Sequence, residues 1–225
     1  MIKLCVFDCD GTLIDSEHSI VSCMGSAFAA HGLVEPTAAS IRNVVGLALT
    51  PAVARLLPES DSEAHERVAE SYRDAFTRLR QGGTVHEPLY PGVVEALEAI
   101  EAAGWLLGVA TGKSYRGLIA TLTGHGLHQR FVTLQTADTA ASKPHPEMML
   151  RAMDEAGAEP EATVMVGDTT YDMEMARNAG AFAVGVAWGY HEEQHLWDAG
   201  AHAVIGDCAD LPAVVERIAN PTRSP

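Results

Sequence analysis

Apolar residues occur in short runs along this chain, and from about residue 90 these runs alternate with stretches of helical periodicity. Ile2 and the run at 4–7 predict a short buried strand at the start of the chain. Further strands are predicted at 105–110, 131–135, 163–166, 182–186 and 203–205. Helices are predicted between them at 92–103, from Ser114, at 144–156, 171–179 and 192–199, and from Leu211. Apolar strands that alternate with helices predict an α/β fold with a doubly wound parallel sheet.

Residues 16–85 interrupt this alternation because all of their patterns are helical. Helices are predicted at 16–31, 37–45 and 51–57, and a long amphipathic helix is predicted to end near Gln81. Ser60 and Glu63 have the spacing of a capping box at its start. We therefore expect an all-helical cap domain, residues 16–85, inserted into an α/β core made of residues 1–15 and 86–225. A frayed tail is expected at 220–225.

Two carboxylates, Asp8 and Asp10, directly follow the first strand. Active sites of parallel α/β sheets lie at the carboxyl ends of the strands. Side chains two residues apart in an extended chain point the same way, so both carboxylates can face one site. Two acids that lie close together repel each other unless a cation or a proton lies between them. Gly11 then permits a sharp turn. This pattern predicts a site at which a cation or a proton lies between the two carboxylates.

More polar groups fall at the same predicted edge of the sheet. Thr111 and Gly112 follow the strand at 105–110, and Lys143 precedes the helix at 144–156. Asp168 and Asp172 follow the strand at 163–166. A lone residue of any of these types is usually a helix cap or a solvated charge. Their joint order predicts one active site.

Four segments of the chain resemble, in order, the motifs of the haloacid dehalogenase (HAD) superfamily. They are Asp8-Cys9-Asp10-Gly11-Thr12, Thr111, Lys143, and Gly167-Asp168 with Asp172. The helical insert after the first of them is similar to the α-helical cap of phosphoglycolate phosphatase-like members. The resemblance implies a Mg²⁺-dependent phosphatase that hydrolyses a small phosphorylated metabolite, with phosphoglycolate as the leading candidate, through an aspartyl-phosphate intermediate.

The resemblance also implies a role for each motif residue. Asp8 is expected to attack phosphorus, and Asp10 to act as the general acid and base. The expected Mg²⁺ ligands are Asp8, the Asp10 backbone carbonyl and Asp168, with Asp172 a ligand or close by. The groups expected to hold the phosphoryl oxygens are Thr111, the Gly112 amide and Lys143.

Within this superfamily, several activities share the same frame. Asp10 disfavours a dehalogenase, whose reaction has no leaving alcohol to protonate. Residues 16–85 contain no lysine, which excludes a Schiff-base phosphonoacetaldehyde hydrolase. Ile20 and Leu49 occupy the positions where sugar-phosphate mutases have a histidine and an arginine, so mutase activity is disfavoured. Arg42 begins a loop similar to the one that closes over substrate, and we expect it either to recognise an anionic leaving group or to be a surface arginine.

Three alternatives stay open beside the phosphatase. Two are an inorganic pyrophosphatase or phosphomutase of the same superfamily and a non-catalytic HAD-like binding module. A third is a zinc hydrolase, because His191 and His195 fit the HExxH pattern. That pattern normally lies within a buried helix, whereas here it follows a loop and resembles the first turn of a surface helix.

The composition restricts partners and location. The formal charge of −15 argues against nucleic-acid binding, and no apolar run is long enough to span a membrane. Four cysteines without paired or metal-type spacing predict reduced thiols and a cytoplasmic enzyme. The expected partner is a small phosphate ester, and the protein is expected to be a monomer or a homodimer.

Overall fold

The computed structural model describes residues 1–219 and contains a six-stranded parallel sheet in the order β3-β2-β1-β4-β5-β6. The strands are β1 (Lys3–Phe7), β2 (Trp105–Thr111), β3 (Phe131–Thr136), β4 (Thr163–Gly167), β5 (Phe182–Val186) and β6 (Ala203–Ile205). The expected doubly wound α/β fold is confirmed. The first strand is central, between β2 and β4.

Helices cover both faces of this sheet. In the core they are α5 (Val93–Ala102), α6 (Tyr115–Gly124), α7 (Glu147–Ala156), α8 (Thr170–Asn178), α9 (Glu193–Asp198) and α10 (Leu211–Ala219). Cys5 and Phe7 of β1 pack in the apolar cluster that includes α5, α6 and α10. Leu4 and Val6 pack in the cluster that includes α7, α8 and α9. This alternation follows from the two-residue period of a strand.

Four helices lie between β1 and α5 in the chain, as the sequence predicts. They are α1 (Glu17–Ala30), α2 (Ala38–Arg42), α3 (Leu49–Leu56) and α4 (Ser62–Gln81). They have an apolar cluster of their own, in which Phe28 of α1 and Val68 of α4 are fully covered. No helix within residues 1–219 is both long and apolar enough to cross a membrane.

Several helix starts differ by a few residues from the sequence expectation, and two of them have an identifiable physical reason. Asp61, not Ser60, caps α4, and its side chain accepts a hydrogen bond from the Ala64 amide. The capping-box prediction is wrong because Asp61 is an equally good cap one residue nearer the helix. The helix expected from residue 144 begins only at Glu147, because the segment before it forms a turn. The tail expected at 220–225 lies outside the described residues.

The cysteines are buried free thiols. Cys9, which lies between Asp8 and Asp10 in the sequence, is part of the core cluster. Because consecutive residues of an extended segment alternate in direction, its thiol is directed into the core, as expected.

Candidate active site

The motif residues meet at the carboxyl edge of the sheet. Asp8 directly follows β1, Thr111 is the last residue of β2, and Asp168 directly follows β4. Asp172 lies in the first turn of α8, and Lys143 lies in the segment between β3 and α7. Since β1 lies between β2 and β4, the three strand ends are neighbours. The topology therefore brings together groups that are far apart in sequence.

Three carboxylates form a buried cluster. Asp8, Asp168 and Asp172 each offer an oxygen, and these oxygens lie within 4.8 Å of one another. Lys143 is also buried; its Nζ lies 2.9 Å from Asp8 Oδ2 and donates to Asp172 Oδ1 over 2.6 Å. The cluster thus holds three acids and one ammonium group.

Each of the other two carboxylates is held by backbone and hydroxyl donors. Asp168 accepts hydrogen bonds from the Thr12 hydroxyl (2.8 Å) and from the Tyr190 amide (2.9 Å). Asp172 accepts from the amide (3.0 Å) and hydroxyl (2.6 Å) of Thr169, in the capping box that starts α8. These donors fix the carboxylates in place before any ligand binds.

Gly11 allows the chain to pass directly beside this cluster. Its φ is +86°, and a Cβ at this position would lie 2.2 Å from Asp168 Oδ2. A larger residue would be strained and would also displace a carboxylate of the site.

The charges of the cluster are unbalanced. Burial raises the pKa of Asp8 to about 7; Lys143 acts against this, and Asp172 and Asp10 add to it. Burial likewise raises the pKa of Asp168, with Asp172 and Asp8 adding to the effect. Burial opposes the charge of Lys143, but Asp172 and Asp8 outweigh it and raise the lysine pKa. An additional cation would relieve the repulsion that remains.

The cluster fits a divalent metal ion. Carboxylate oxygens are the hard ligands that such ions prefer, and three of them converge here with a single lysine to balance them. The three aspartates are those that the sequence analysis assigned to the metal. Asp10, whose backbone carbonyl was assigned, does not add its carboxylate to this group.

Asp10 is oriented by other groups. Its Oδ1 accepts hydrogen bonds from the Ser16 hydroxyl (2.6 Å) and from Lys113 Nζ (2.7 Å), and Lys113 also donates to Glu87 Oε1 (3.1 Å). Burial opposes the charge of Lys113, but Asp10 and Glu87 outweigh it and raise its pKa. Asp10 and Asp8 line the same cavity.

Residues 5–186 match the family described as haloacid dehalogenase-like hydrolase. The chain belongs to this family. It is 35% identical to the probable phosphatase IndB of Dickeya dadantii, over all of this chain and 98% of that protein. It is 31% identical to a phosphoglycolate phosphatase of Agrobacterium fabrum, covering 96% and 93% of the two chains. A solved hydrolase of Pseudomonas syringae superposes with a TM-score of 0.82 at 27% identity, covering 97% and 99%.

The resemblance stated from the motifs is therefore confirmed, and this member of the haloacid dehalogenase-like family is a phosphatase.

Thr111 and Gly112 line the cavity that Asp8 and Asp10 also line, so they can meet a phosphoryl group there. The Thr111 side chain is buried, and its hydroxyl accepts a hydrogen bond from the Lys113 amide.

Arg42 lies away from this cavity. Its Nη1 lies 2.6 Å from Glu17 Oε1 in a half-exposed ion pair, and it is not among the residues that line the cavity. The structure thus places Arg42 where the alternative interpretation, a surface arginine, expects it.

The histidines of the HExxH segment do not belong to a converging group of three potential metal ligands among residues 1–219. His191 precedes α9, and its Nδ1 accepts a hydrogen bond from the Thr170 amide, while His195 lies exposed within α9. Among residues 1–219, the aspartate cluster is the group of three potential ligands that converges. The geometry gives a zinc hydrolase no support.

The sequence analysis missed the residues that orient Asp10. It placed Ser16 in the first cap helix, and it gave neither Lys113 nor Glu87 a contact with Asp10. One signal was available: the chain has only three lysines, and Lys113 directly follows Thr111 and Gly112, the pair expected to hold the phosphoryl oxygens.

Proposed function

We propose that this protein is a Mg²⁺-dependent phosphatase that hydrolyses a small phosphate monoester through an aspartyl-phosphate on Asp8. The observation that carries the proposal is the position of Asp8. Its carboxylate lies within the cluster that fits a metal and beside Lys143, and it lines a cavity with Asp10. We further propose that helices α1–α4 act as a cap that opens to admit substrate and to release product.

Asp8 supplies the nucleophile in this proposal. One carboxylate oxygen of Asp8 forms a bond to phosphorus while the bond from phosphorus to the leaving oxygen breaks. The reaction needs the ionised carboxylate, but the pKa of Asp8 is raised to about 7, chiefly by burial, even with Lys143 beside it. Lys143 at 2.9 Å favours the ionised form, and so does any cation bound between the carboxylates.

Asp10 moves the protons. Its Oδ1 is occupied by Ser16 and Lys113, so Oδ2 is the oxygen that would carry a proton to the leaving alcohol. The same oxygen then accepts a proton from the water that attacks phosphorus, which frees Asp8 and releases inorganic phosphate. The two hydrogen bonds keep Oδ2 in one orientation for both steps.

The remaining charges stabilise the phosphoryl group. Asp8, the Asp10 carbonyl, Asp168 and Asp172 would hold Mg²⁺, which when bound neutralises charge on the phosphoryl oxygens. The Thr111 hydroxyl, the Gly112 amide and Lys143 would provide the donors for those oxygens. Phosphoglycolate, the substrate named for the Agrobacterium relative, is the reference compound for any activity panel.

The test is phosphate release from a panel of phosphate monoesters and pyrophosphate, with Mg²⁺ and with a chelator. We expect turnover only with the metal, and its loss in Asp8→Asn. Asp154→Asn, the same change at an exposed position of α7, is the matched control and should retain wild-type turnover. Turnover that survives in Asp8→Asn, or in excess chelator, would contradict the mechanism. Preference for pyrophosphate would replace the monoester with that substrate.

A further inference from the structure

A cavity of about 750 Å³ lies between helices α1 and α4, the loop after α2, and the carboxyl edge of the sheet. Asp8, Asp10 and Thr111 contribute to its wall, so it is continuous with the proposed site of chemistry. Most of the wall is apolar. The apolar side chains include Ile20, Met24, Ile41, Leu47, Tyr72 and Phe76.

The cap already contacts the core around this cavity. The Tyr171 hydroxyl donates to the Asn43 carbonyl (2.8 Å), and the Ala48 amide donates to the Ser142 hydroxyl (2.8 Å). Gly112 is so close to the Leu47 carbonyl that a Cβ on it would lie 2.4 Å from that oxygen. The cavity is therefore partly covered by a cap that already contacts the core, and it stays partly open to solvent.

The cations that line this cavity are largely neutralised by acids of the protein. Lys113 contacts Asp10 and Glu87, and Arg80 contacts Glu87 at 3.1 Å. Arg73 forms a half-exposed ion pair with Glu66. Arg116 has no ion-pair partner among residues 1–219, but it is an exposed residue of the wall. Among residues 1–219, a second anionic group on a substrate would thus find Arg116, at an exposed position of the wall, as the lining cation that no acid neutralises.

Two aromatic rings of α4 form part of the wall. The ring centroids of Tyr72 and Phe76 are 5.9 Å apart. The Phe76 ring also lies 5.5 Å from Lys113 Nζ and 5.6 Å from Arg80 Cζ, so cations hold it in position. Tyr72 is half-buried in this wall beside Phe76.

We infer that the leaving group is a bulky, mostly apolar alcohol that carries a ring, and that Phe76 determines this preference by packing against that ring. The inference rests on the proposed phosphatase function and names its substrate class. A two-carbon acid such as glycolate would leave the apolar wall without contact, whereas an alcohol that carries a ring can reach Phe76 and bury apolar surface there.

The kinetic test compares three phosphates of primary alcohols: benzyl phosphate, ethyl phosphate and phosphoglycolate. We expect kcat/KM for benzyl phosphate to exceed both others by roughly tenfold or more. Phe76→Ala should raise KM for benzyl phosphate by roughly tenfold and leave the ethyl phosphate values within about twofold. Trp197→Ala, the loss of an exposed aromatic ring of α9, is the matched control and should change none of these values.

A binding test keeps the inference independent of turnover. Titration calorimetry in the presence of Mg²⁺ compares the affinities of three non-hydrolysable phosphonates: phenethylphosphonate, propylphosphonate and phosphonopropionate. The aromatic ligand should bind wild type tightest and lose that advantage in Phe76→Ala. Ala120→Phe, which adds a ring to a half-buried position of the wall, should also weaken the aromatic ligand and spare propylphosphonate.

The two proposals fail in different ways. Tight aromatic binding without turnover of any ester would overturn the phosphatase mechanism and support the cavity assignment. Asp8-dependent turnover that favours phosphoglycolate, or a Phe76→Ala variant that affects all three esters equally, would overturn the assignment of the substrate class and leave the mechanism standing.

Discussion

Replacing Lys143 by Met tests the charge balance of the site most directly. The side chains are similar in length, but Met leaves Asp8 and Asp172 without the ammonium group that lies 2.9 and 2.6 Å from them. Breaking a fully buried ion pair costs about 3–5 kcal/mol because the remaining charge is unpaired. For a chain of this size, each kcal/mol shifts the melting temperature by about 2–4 °C. The expected loss is therefore about 6–20 °C.

This loss should depend on pH with a defined sign. Without Lys143 the pKa of Asp8, already raised to about 7 by burial, rises further. A carboxyl with a raised pKa contributes its stability below its unfolded pKa, and the contribution is lost as the pH rises through the folded value. The Lys143 pKa is raised, so the wild-type ammonium stays charged throughout this range. The variant should approach wild type at about pH 5 and differ most at about pH 8.

The assay is thermal unfolding of metal-free protein at both pH values, followed by addition of Mg²⁺, which should narrow the difference at the higher pH. Lys3→Met is the control, since Lys3 pairs with Glu216 at a partly exposed position at 2.9 Å. Exposed pairs contribute only about 0–1 kcal/mol. If Lys143→Met and Lys3→Met melt alike at the higher pH, the account of the buried cluster is refuted.

Three further outcomes are expected. Mg²⁺ affinity should fall by about tenfold per pH unit below about pH 7, because Asp8 must lose its proton to bind the ion. Titration calorimetry at several pH values measures this affinity, and an affinity that does not change with pH contradicts the prediction. Thr12→Val removes a 2.8 Å hydrogen bond to Asp168 and should weaken Mg²⁺ binding by about tenfold, with Thr84→Val, an exposed position, as control. Arg42→Ala breaks a half-exposed pair with Glu17 and should leave kcat/KM for phosphoglycolate within about twofold; a selective rise in KM would return Arg42 to the site.

The strands were the most predictable part of the fold. The strands expected at 182–186 and 203–205 match β5 and β6 to the residue, because a short apolar run between turns has few alternatives. Helix starts were less certain, since neighbouring residues such as Ser60 and Asp61 compete for one cap.

The order of the motifs predicted that their residues meet at one edge of the sheet. It could not predict which side chains contact one another there. The contacts of Lys143 with Asp8 and Asp172 depend on side-chain directions that only packing determines. The same holds for Lys113, which follows Thr111 and Gly112 in sequence and whose contact with Asp10 only the structure shows. Arg42 shows the reverse case, because a residue in the right loop points to a different neighbour.

The central position of β1 also bears on the order in which the chain can fold. Lys3 pairs with Trp105 on one side, and Leu4 pairs with Thr163 on the other. Non-local pairing of this kind forms slowly, because a long loop must close before any contact compensates for the lost entropy. The buried residues of the apolar cluster of α1–α4, by contrast, all lie within residues 20–69, which are synthesised before β2–β6. On the ribosome, the cap can therefore form while β1 still waits for β4, and Asp8 meets Asp168 and Asp172 only after β4 and α8 have been made.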